Sequence, residues 1–418
     1  MATDLKLSGY KAVQQATCVE LELIEDGTPV TVRMTDHDVP LGLRYYRTEV
    51  PALTAPVKFF SYPFAMSSNG YTVYMSSSTT WNPVTGMSEI TAIWDATKLT
   101  AGKANGVVVV GTPGTTTWTT YPVTGWNQAE SISSIAISGS AFIGGSAGTI
   151  GYANAAALGS WTVNNTLSST LFGNNQINTI LPRWSTSNTL YVGGNSGKIA
   201  YGTNVNTATP TWSNLATTLT SADHVTHSAS TTFGTKYLFG TSTGKLRWID
   251  SATLTTLRSV SGIPAGFGTS AITSIIGISN DAFLVGNAEG RLLRASPSTT
   301  INSVSLIPQN FGSKIVSIIQ QAGFFFVVTE KELWVSNDVA NATTGWTFRP
   351  IPIGSTFGSY VSDTNRIYFG SDKIYSATYG YPTPVNNNEF YSALGSLMSV
   401  SQVTSEVKPR KCSVSCNL

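Results

Sequence analysis

The sequence predicts an all-β chain folded as a β-propeller of about seven four-stranded blades, with a small β-module at its N-terminus. Three observations carry that prediction. A glycine-ended phrase recurs, as FIGGSAGTIGYA at 142–153, YVGGNSGKIAYGT at 191–203 and LFGTSTGKLRWI at 238–249. Its copies are anchored at Gly144, Gly193, Gly240, Gly286, Thr329 and Gly370, 41 to 49 residues apart, and a blade of four short strands takes about 40–50 residues. The runs between the anchors are short and rich in Val, Ile, Tyr, Phe and Thr, and no stretch of the central region holds a helical 3.6-residue period.

Each repeat justifies its strands in the same order. An apolar or alternating run comes first (SSIAIS, ITSIIGIS, KIVSIIQQ), then a run ending at the anchor (SAFIGG, NTLYVGG, AFLVG, RIYFG). A tight turn follows (SAG, NSG, STG, AEG), then a third run (TIGYA, KIAYG, KLRWI, RLLRA). Several repeats close on a Trp-led strand: SWTVN, TWSNL, GWTFR. Gly148, Gly197, Gly244 and Gly290 sit where a hairpin turn needs positive φ. The anchor glycines suit strands that crowd near a propeller axis. A β-sandwich array or a β-helix is the alternative architecture; a β-helix coil is shorter, and a sandwich needs no such regular period. Residues 57–120 read as a degenerate first blade with an insertion around 78–106. The expected domains are therefore an N-terminal β-module over 1–56, a propeller over 57–385, and a closing strand and tail over 386–418. YSALGSLMSVSQV at 391–403 is the expected source of the strand that closes the ring.

In the N-terminal part, Cys18–Ile24 and Thr28–Met34 alternate in polarity, and Glu25-Asp26-Gly27 joins them as a hairpin. No apolar core follows MATDLKLSGYKAV, so no Sec signal peptide is expected, and no apolar window is long enough to span a membrane. Only 11% of the chain is charged, against 41% hydrophobic, less than half the usual charged share. Its surface must be made of Ser, Thr, Asn and Gly. Lys and Arg are scattered apart from Lys408, Arg410 and Lys411 near the C-terminus, so nucleic acid is excluded as an expected partner. The cysteines are Cys18, Cys412 and Cys416. None can brace the propeller body, and Cys412 with Cys416 lacks two further ligands for zinc.

Two resemblances follow from quoted residues. FIGGSAGTIGYANAAALGSWT resembles the repeat of bacterial-neuraminidase-repeat propellers, in the style of those related to photosystem assembly factors. The S-x-D-x-G-x-x-W loop of that family survives as Ser336-Asn337-Asp338 with Gly345-Trp346 and as Gly159-Ser160-Trp161. The hairpin followed by Thr35-Asp36-His37-Asp38 resembles the opening of tail-tip and baseplate proteins of tailed bacteriophages, without the basic residue that often follows the second Asp.

Candidates for chemistry each have a plainer reading. Asp36 and Asp38 would share a face if they lie on a strand, but they lack a further metal ligand, and a turn or strand-end hydrogen-bonding role is the plainer reading. His224 and His227, in Asp223-His224-Val225-Thr226-His227, precede a strand rather than lying on a helix, so no metal site is expected there. GGNSGK at 193–198 is not a phosphate loop, because Val192 stands where its first glycine belongs and Ile199 follows Lys198. A sialidase on this fold needs converging arginines and two carboxyl groups within about 5–10 Å. Arg183, Arg247, Arg258, Arg291, Arg294, Arg349 and Arg366 are available, but acidic partners are sparse. The expectation is thus a chain without catalytic, metal or cofactor residues. It is expected to be a structural protein of a tailed-phage virion, localised to the tail and joined to other virion proteins through its N-terminal module. The propeller would be a homo-oligomeric platform for a host-surface glycan or protein. A glycan-binding or sialidase-like propeller and an intracellular assembly scaffold are the alternatives.

Overall fold

The computed structural model describes residues 99–111 and 118–336 apart from short loop breaks, and outside that span the strands between residues 18 and 95 and between 346 and 415. Nearly every element is a β-strand, and the described strands form eight four-stranded antiparallel sheets and one three-stranded sheet. The four-stranded sheets are the blades, numbered I to VIII from the first strand of each: Val57–Ser61, Ile90–Asp95, Ile132–Ser138, Ile177–Pro182, Val225–Ser230, Ile272–Gly277, Ile315–Gln321 and Ser359–Ser362. In blades I to VII the four strands pair in chain order. Each first strand touches the first strand of the next blade, and that of blade VIII touches that of blade I, so the first strands line the axis of a closed ring.

The ring holds one blade more than the period predicts. Residues 57–120, read as a single blade with an insertion, contain two sheets: Val57–Pro83 in four strands, then Ile90–Pro122 in four more. The supposed insertion is itself strand, since Ile90–Asp95 and Leu99–Lys103 pair with each other. Ring closure also takes a different strand from the one expected. The fourth strand of blade VIII is Arg44–Thr48, paired antiparallel to Ile374–Thr378. The propeller therefore begins within the N-terminal part of the chain, and this strand covers an edge that blade VIII would otherwise leave open. The segment 391–403 lies outside the described residues, as do Thr35-Asp36-His37-Asp38 beyond Thr35, the C-terminal cysteines and the C-terminal basic cluster. The predicted hairpin of Cys18–Glu25 with Thr28–Thr35 is present, and Val414–Ser415 adds to its edge as the third strand of that sheet.

Apolar side chains explain why the blades stack. The second strands of blades III and IV, Ser140–Gly145 and Thr189–Gly194, are buried at every residue. Both faces are covered because each core lies between two blades. Phe142 and Ile150 of blade III meet Ile177, Ile180 and Val192 of blade IV. Leu238, Leu246 and Trp248 of blade V meet Ile272, Phe283 and Leu293 of blade VI. One blade alone would leave such a face in water.

A finer device repeats at the axis. In seven of the eight blades the first strand carries a β-bulge immediately after its opening residue. That opening residue is always Val or Ile: Val57, Ile90, Ile132, Ile177, Val225, Ile272, Ile315. A bulge turns an extra side chain out of the ladder. In blades II to VI that side chain reaches the next blade. Thr91 and Ser133 donate to the carbonyls of Ile132 and Ile177. Asn178 donates to Val225 at 2.8 Å, Thr226 to Ile272 at 2.8 Å and Thr273 to Ile315 at 2.6 Å. The accepting residue also explains the anchor glycine. A Cβ at Gly144 would stand 2.5 Å from Ile177 Cγ2, and at Gly240 2.5 Å from Ile272 Cγ2. Gly102, Gly193 and Gly286 face Ile132, Val225 and Ile315 in the same way. The crowding predicted near the axis is therefore contact with the opening Ile or Val of the next blade.

Candidate functional site at the junction of blades IV and V

The turns joining second to third strands lie on one face, together with the segments that enter each new blade. In these hairpins the residue that ends the second strand can accept hydrogen bonds from the turn. Asn287 Oδ1 accepts from the Glu289 and Arg291 N–H groups at 3.0 and 2.8 Å, and Thr241 Oγ1 accepts from the Lys245 N–H at 2.9 Å. Blades III and IV have glycine there and borrow an acceptor from the entering segment. Glu130 Oε1, buried, takes the N–H groups of Ala147 and Thr149 at 2.8 and 3.2 Å, two and four residues past Gly145, the same offsets as at Asn287. Its insertion requires Gly145, since a Cβ there would stand 2.0 Å from Oε1. In blade IV the acceptor is a histidine: Ser196 N–H donates to His224 Nδ1 at 3.0 Å.

That bond joins two motifs that the sequence offers as unrelated, GGNSGK and Asp223-His224-Val225-Thr226-His227. Around it lies a polar cluster. Ser196 Oγ donates to Asn175 Oδ1 at 2.7 Å, and Asn178 Nδ2 donates to Asn195 Oδ1 at 2.9 Å. The backbone of His224 is held by blade V, its N–H donating to Ser242 Oγ at 3.0 Å and its carbonyl accepting from Ser242 N–H at 2.8 Å. Ser196 has φ 56°, a left-handed conformation that serine adopts at a cost.

Asp223 is 1% exposed and fully engaged. It accepts from Lys245 Nζ at 2.8 Å, from the Thr220 N–H at 2.6 Å and hydroxyl at 2.9 Å, and from Thr243 Oγ1. Burial pushes its pKa up, but the Lys245 ammonium and then the Thr220 and Thr243 donors outweigh it and hold the carboxyl well below the usual carboxylate range. His227 points elsewhere: its Nδ1 lies 3.0 Å from the Ile272 carbonyl, so it donates there. His227 keeps an exposed surface, while the part of the ring packed against the protein is desolvated. This desolvation pushes its pKa below the usual imidazole value, against the Ile272 carbonyl and with the help of Lys314.

The pieces do not form a nucleophilic triad. His224 spends Nδ1 on a backbone N–H, Asp223 faces Lys245, and Ser196 Oγ faces Asn175. His224 and His227 do not converge, and among the described residues no group of three or more His, Cys, Asp and Glu is placed to hold a metal ion. The arginines whose side chains are described are spread over blades IV, V and VI. Buried Arg247 lies in the third strand of blade V and donates to the Leu246 carbonyl, and Arg258 lies over Trp248, which Lys236 also approaches. Arg294 lies in the third strand of blade VI and reaches Ser296 Oγ. Among the described residues the exposed large apolar side chains are Phe233 and Ile301, 59% and 80% exposed, so no described Trp or Tyr offers an open ring. Nothing in the residue order singles out Glu130 or Asn175; a glycine ending the second strand is the signal that an acceptor must come from elsewhere.

No protein-family model matches the chain, and no curated protein sequence matches it. Among solved structures, the computationally designed Ika8 protein is similar over 81% of this chain and 100% of its own, with a TM-score of 0.59 and 15% sequence identity. At that identity the likeness is one of fold. No helix among the described residues is long and apolar enough to cross a membrane.

Proposed function

We propose that the chain is a non-enzymatic structural component of a tailed-phage virion, at the tail tip or baseplate, whose propeller serves as a binding platform. The observation that carries the binding reading is the commitment of Asp223, His224 Nδ1 and Ser196 Oγ at the blade IV–V junction to structural partners, which leaves a polar face and no poised nucleophile there. The virion assignment rests on the N-terminal hairpin and its Thr35-Asp36-His37-Asp38 phrase. A platform of Asn, Ser and Thr with no exposed described Trp or Tyr suits a protein partner better than a sugar, which is commonly held by ring stacking.

The test is peptide mass spectrometry of purified particles from the source, followed by cryo-electron microscopy of their tails. Stoichiometric peptides and a ring of copies on the tail are expected. Particles devoid of the chain would overturn the virion assignment. Turnover of a fluorogenic glycoside by the purified protein would overturn the non-enzymatic one.

A further inference from the structure

We propose that the hairpin Gly194–Lys198 is a two-state element set by the protonation of His224. Four hairpins of equal length can be compared. In blades III, V and VI the penultimate glycine has positive φ, at 84°, 75° and 73°, and donates its N–H to the residue ending the second strand, in each case at 3.3 Å. Ala147, Thr243 and Glu289, which precede those glycines, do not have positive φ. Blade IV has the same length and the same glycine, Gly197 at 68°, yet Ser196 before it is also left-handed and the Lys198 N–H donates to the Asn195 carbonyl. The ground state of this turn in its siblings is thus visible in the same molecule, and blade IV departs from it at a residue that pays a conformational penalty.

The departing residue itself is held by two bonds, its N–H to His224 Nδ1 and its Oγ to Asn175, and the first of them depends on protonation. An imidazole nitrogen accepts a hydrogen bond only when it carries no proton, so this bond fixes the neutral ring with its hydrogen on Nε2. Protonation at Nδ1 sets one N–H against another. The proton goes from solvent to Nδ1, the Ser196 N–H loses its acceptor, and the turn relaxes to the sibling geometry. The His224 backbone stays fixed by Ser242, so the ring is held in place while the hairpin answers it. The titratable groups on the elements packed against it are Asp223 and His227 on its own segment, Lys198 on the blade IV hairpin, and Lys245 and Arg247 on blade V. Asp223 is neutralised by Lys245, so no free carboxylate among them rewards the imidazolium. The hairpin lies on the face assigned above to partner binding, but the switch does not depend on that assignment.

The chain has three histidines, so side-chain ¹⁵N labelling of histidine gives a readable spectrum of the whole protein, assigned with His224→Asn and His227→Asn. At neutral pH His224 is expected as the Nε2–H tautomer and His227 as the Nδ1–H tautomer. Hydrogen exchange of the Gly194–Lys198 hairpin, expressed as a ratio to the blade VI hairpin, is then followed from about pH 8 to about pH 5, the interval in which imidazoles titrate. The ratio is expected to rise at least threefold in step with the His224 resonance. It should stay low throughout in His224→Asn, whose amide oxygen still accepts, and stay high throughout in His224→Ala. An Nδ1–H tautomer for His224 at neutral pH, or a ratio that does not move while His224 protonates, would overturn the proposal.

Discussion

The junction between blades V and VI and the junction between blades VII and VIII solve the same problem with different residues. At V–VI a hydroxyl leaves the bulge at Thr226, a glycine stands at 240, and the next blade opens with Ile272. At VII–VIII the equivalents of Thr226 and Gly240 are Val316 and Val328; the described first strand of blade VIII starts at Ser359, which pairs with Gly370 as Ser274 pairs with Gly286 in blade VI. Both differ together: the donor is gone and the glycine has gained a side chain. The difference teaches that the donor at the bulge and the glycine opposite it change together, and that a substitution at one is tolerated according to the other.

The largest effect should come from breaking the coupling sterically. Gly240→Val places a Cβ 2.5 Å from Ile272 Cγ2 and 2.7 Å from its Cβ. Overpacking of that kind should cost about 3 kcal/mol in urea unfolding. Adding Ile272→Ala to Gly240→Ala should restore part of what Gly240→Ala alone loses; additive losses would show that the two positions are not coupled. Thr226→Val should cost about 1 kcal/mol, since the Ile272 carbonyl loses one donor while keeping His227. A pH effect comes next. The pKa of His227 is lowered in the folded state, so the unfolded chain takes up a proton first. The contribution of His227 is complete above the usual imidazole value of about 6.5 and declines as pH falls below it. Unfolding midpoints measured from about pH 7.5 to about pH 5 should fall in the wild type and fall less in His227→Asn. The smallest effect is expected from Val316→Thr, which supplies the donor without the glycine and should change stability by less than about 0.5 kcal/mol. A gain comparable with the loss in Thr226→Val would mean that the hydroxyl acts alone.

Much of this fold is legible from residue order. The recurring glycine and the turn glycines mark second strands and hairpins because each has one steric reason to be glycine, and Gly148, Gly197, Gly244 and Gly290 all have the positive φ that their turns require. The extra blade escapes because Val57–Ser67 and Ile90–Gly102 carry the bulge but only one of them carries the glycine: Met66 stands where Gly102 stands in the next blade. The closing strand escapes because RYYRT at 44–48 has no partner within its own neighbourhood. The polar junction is the least legible part. Ser196 and His224 are separated by 28 residues, and nothing local to either one names the other.

The latch formed by Arg44–Thr48 sets the order of events during synthesis. It leaves the ribosome ahead of the other propeller strands, and its partner Ile374–Thr378 follows the rest of them. At about 5–20 residues per second the wait is roughly 15–60 s. Through that interval the growing chain can stack blade upon blade, each new one burying the open face of the last, while the five residues of the latch stay free with their hydrogen-bonding edge uncommitted. The charge of Arg44 and Arg47 at either side of Tyr45 and Tyr46 suits a strand that must remain unpaired in the cell until its own ring is finished.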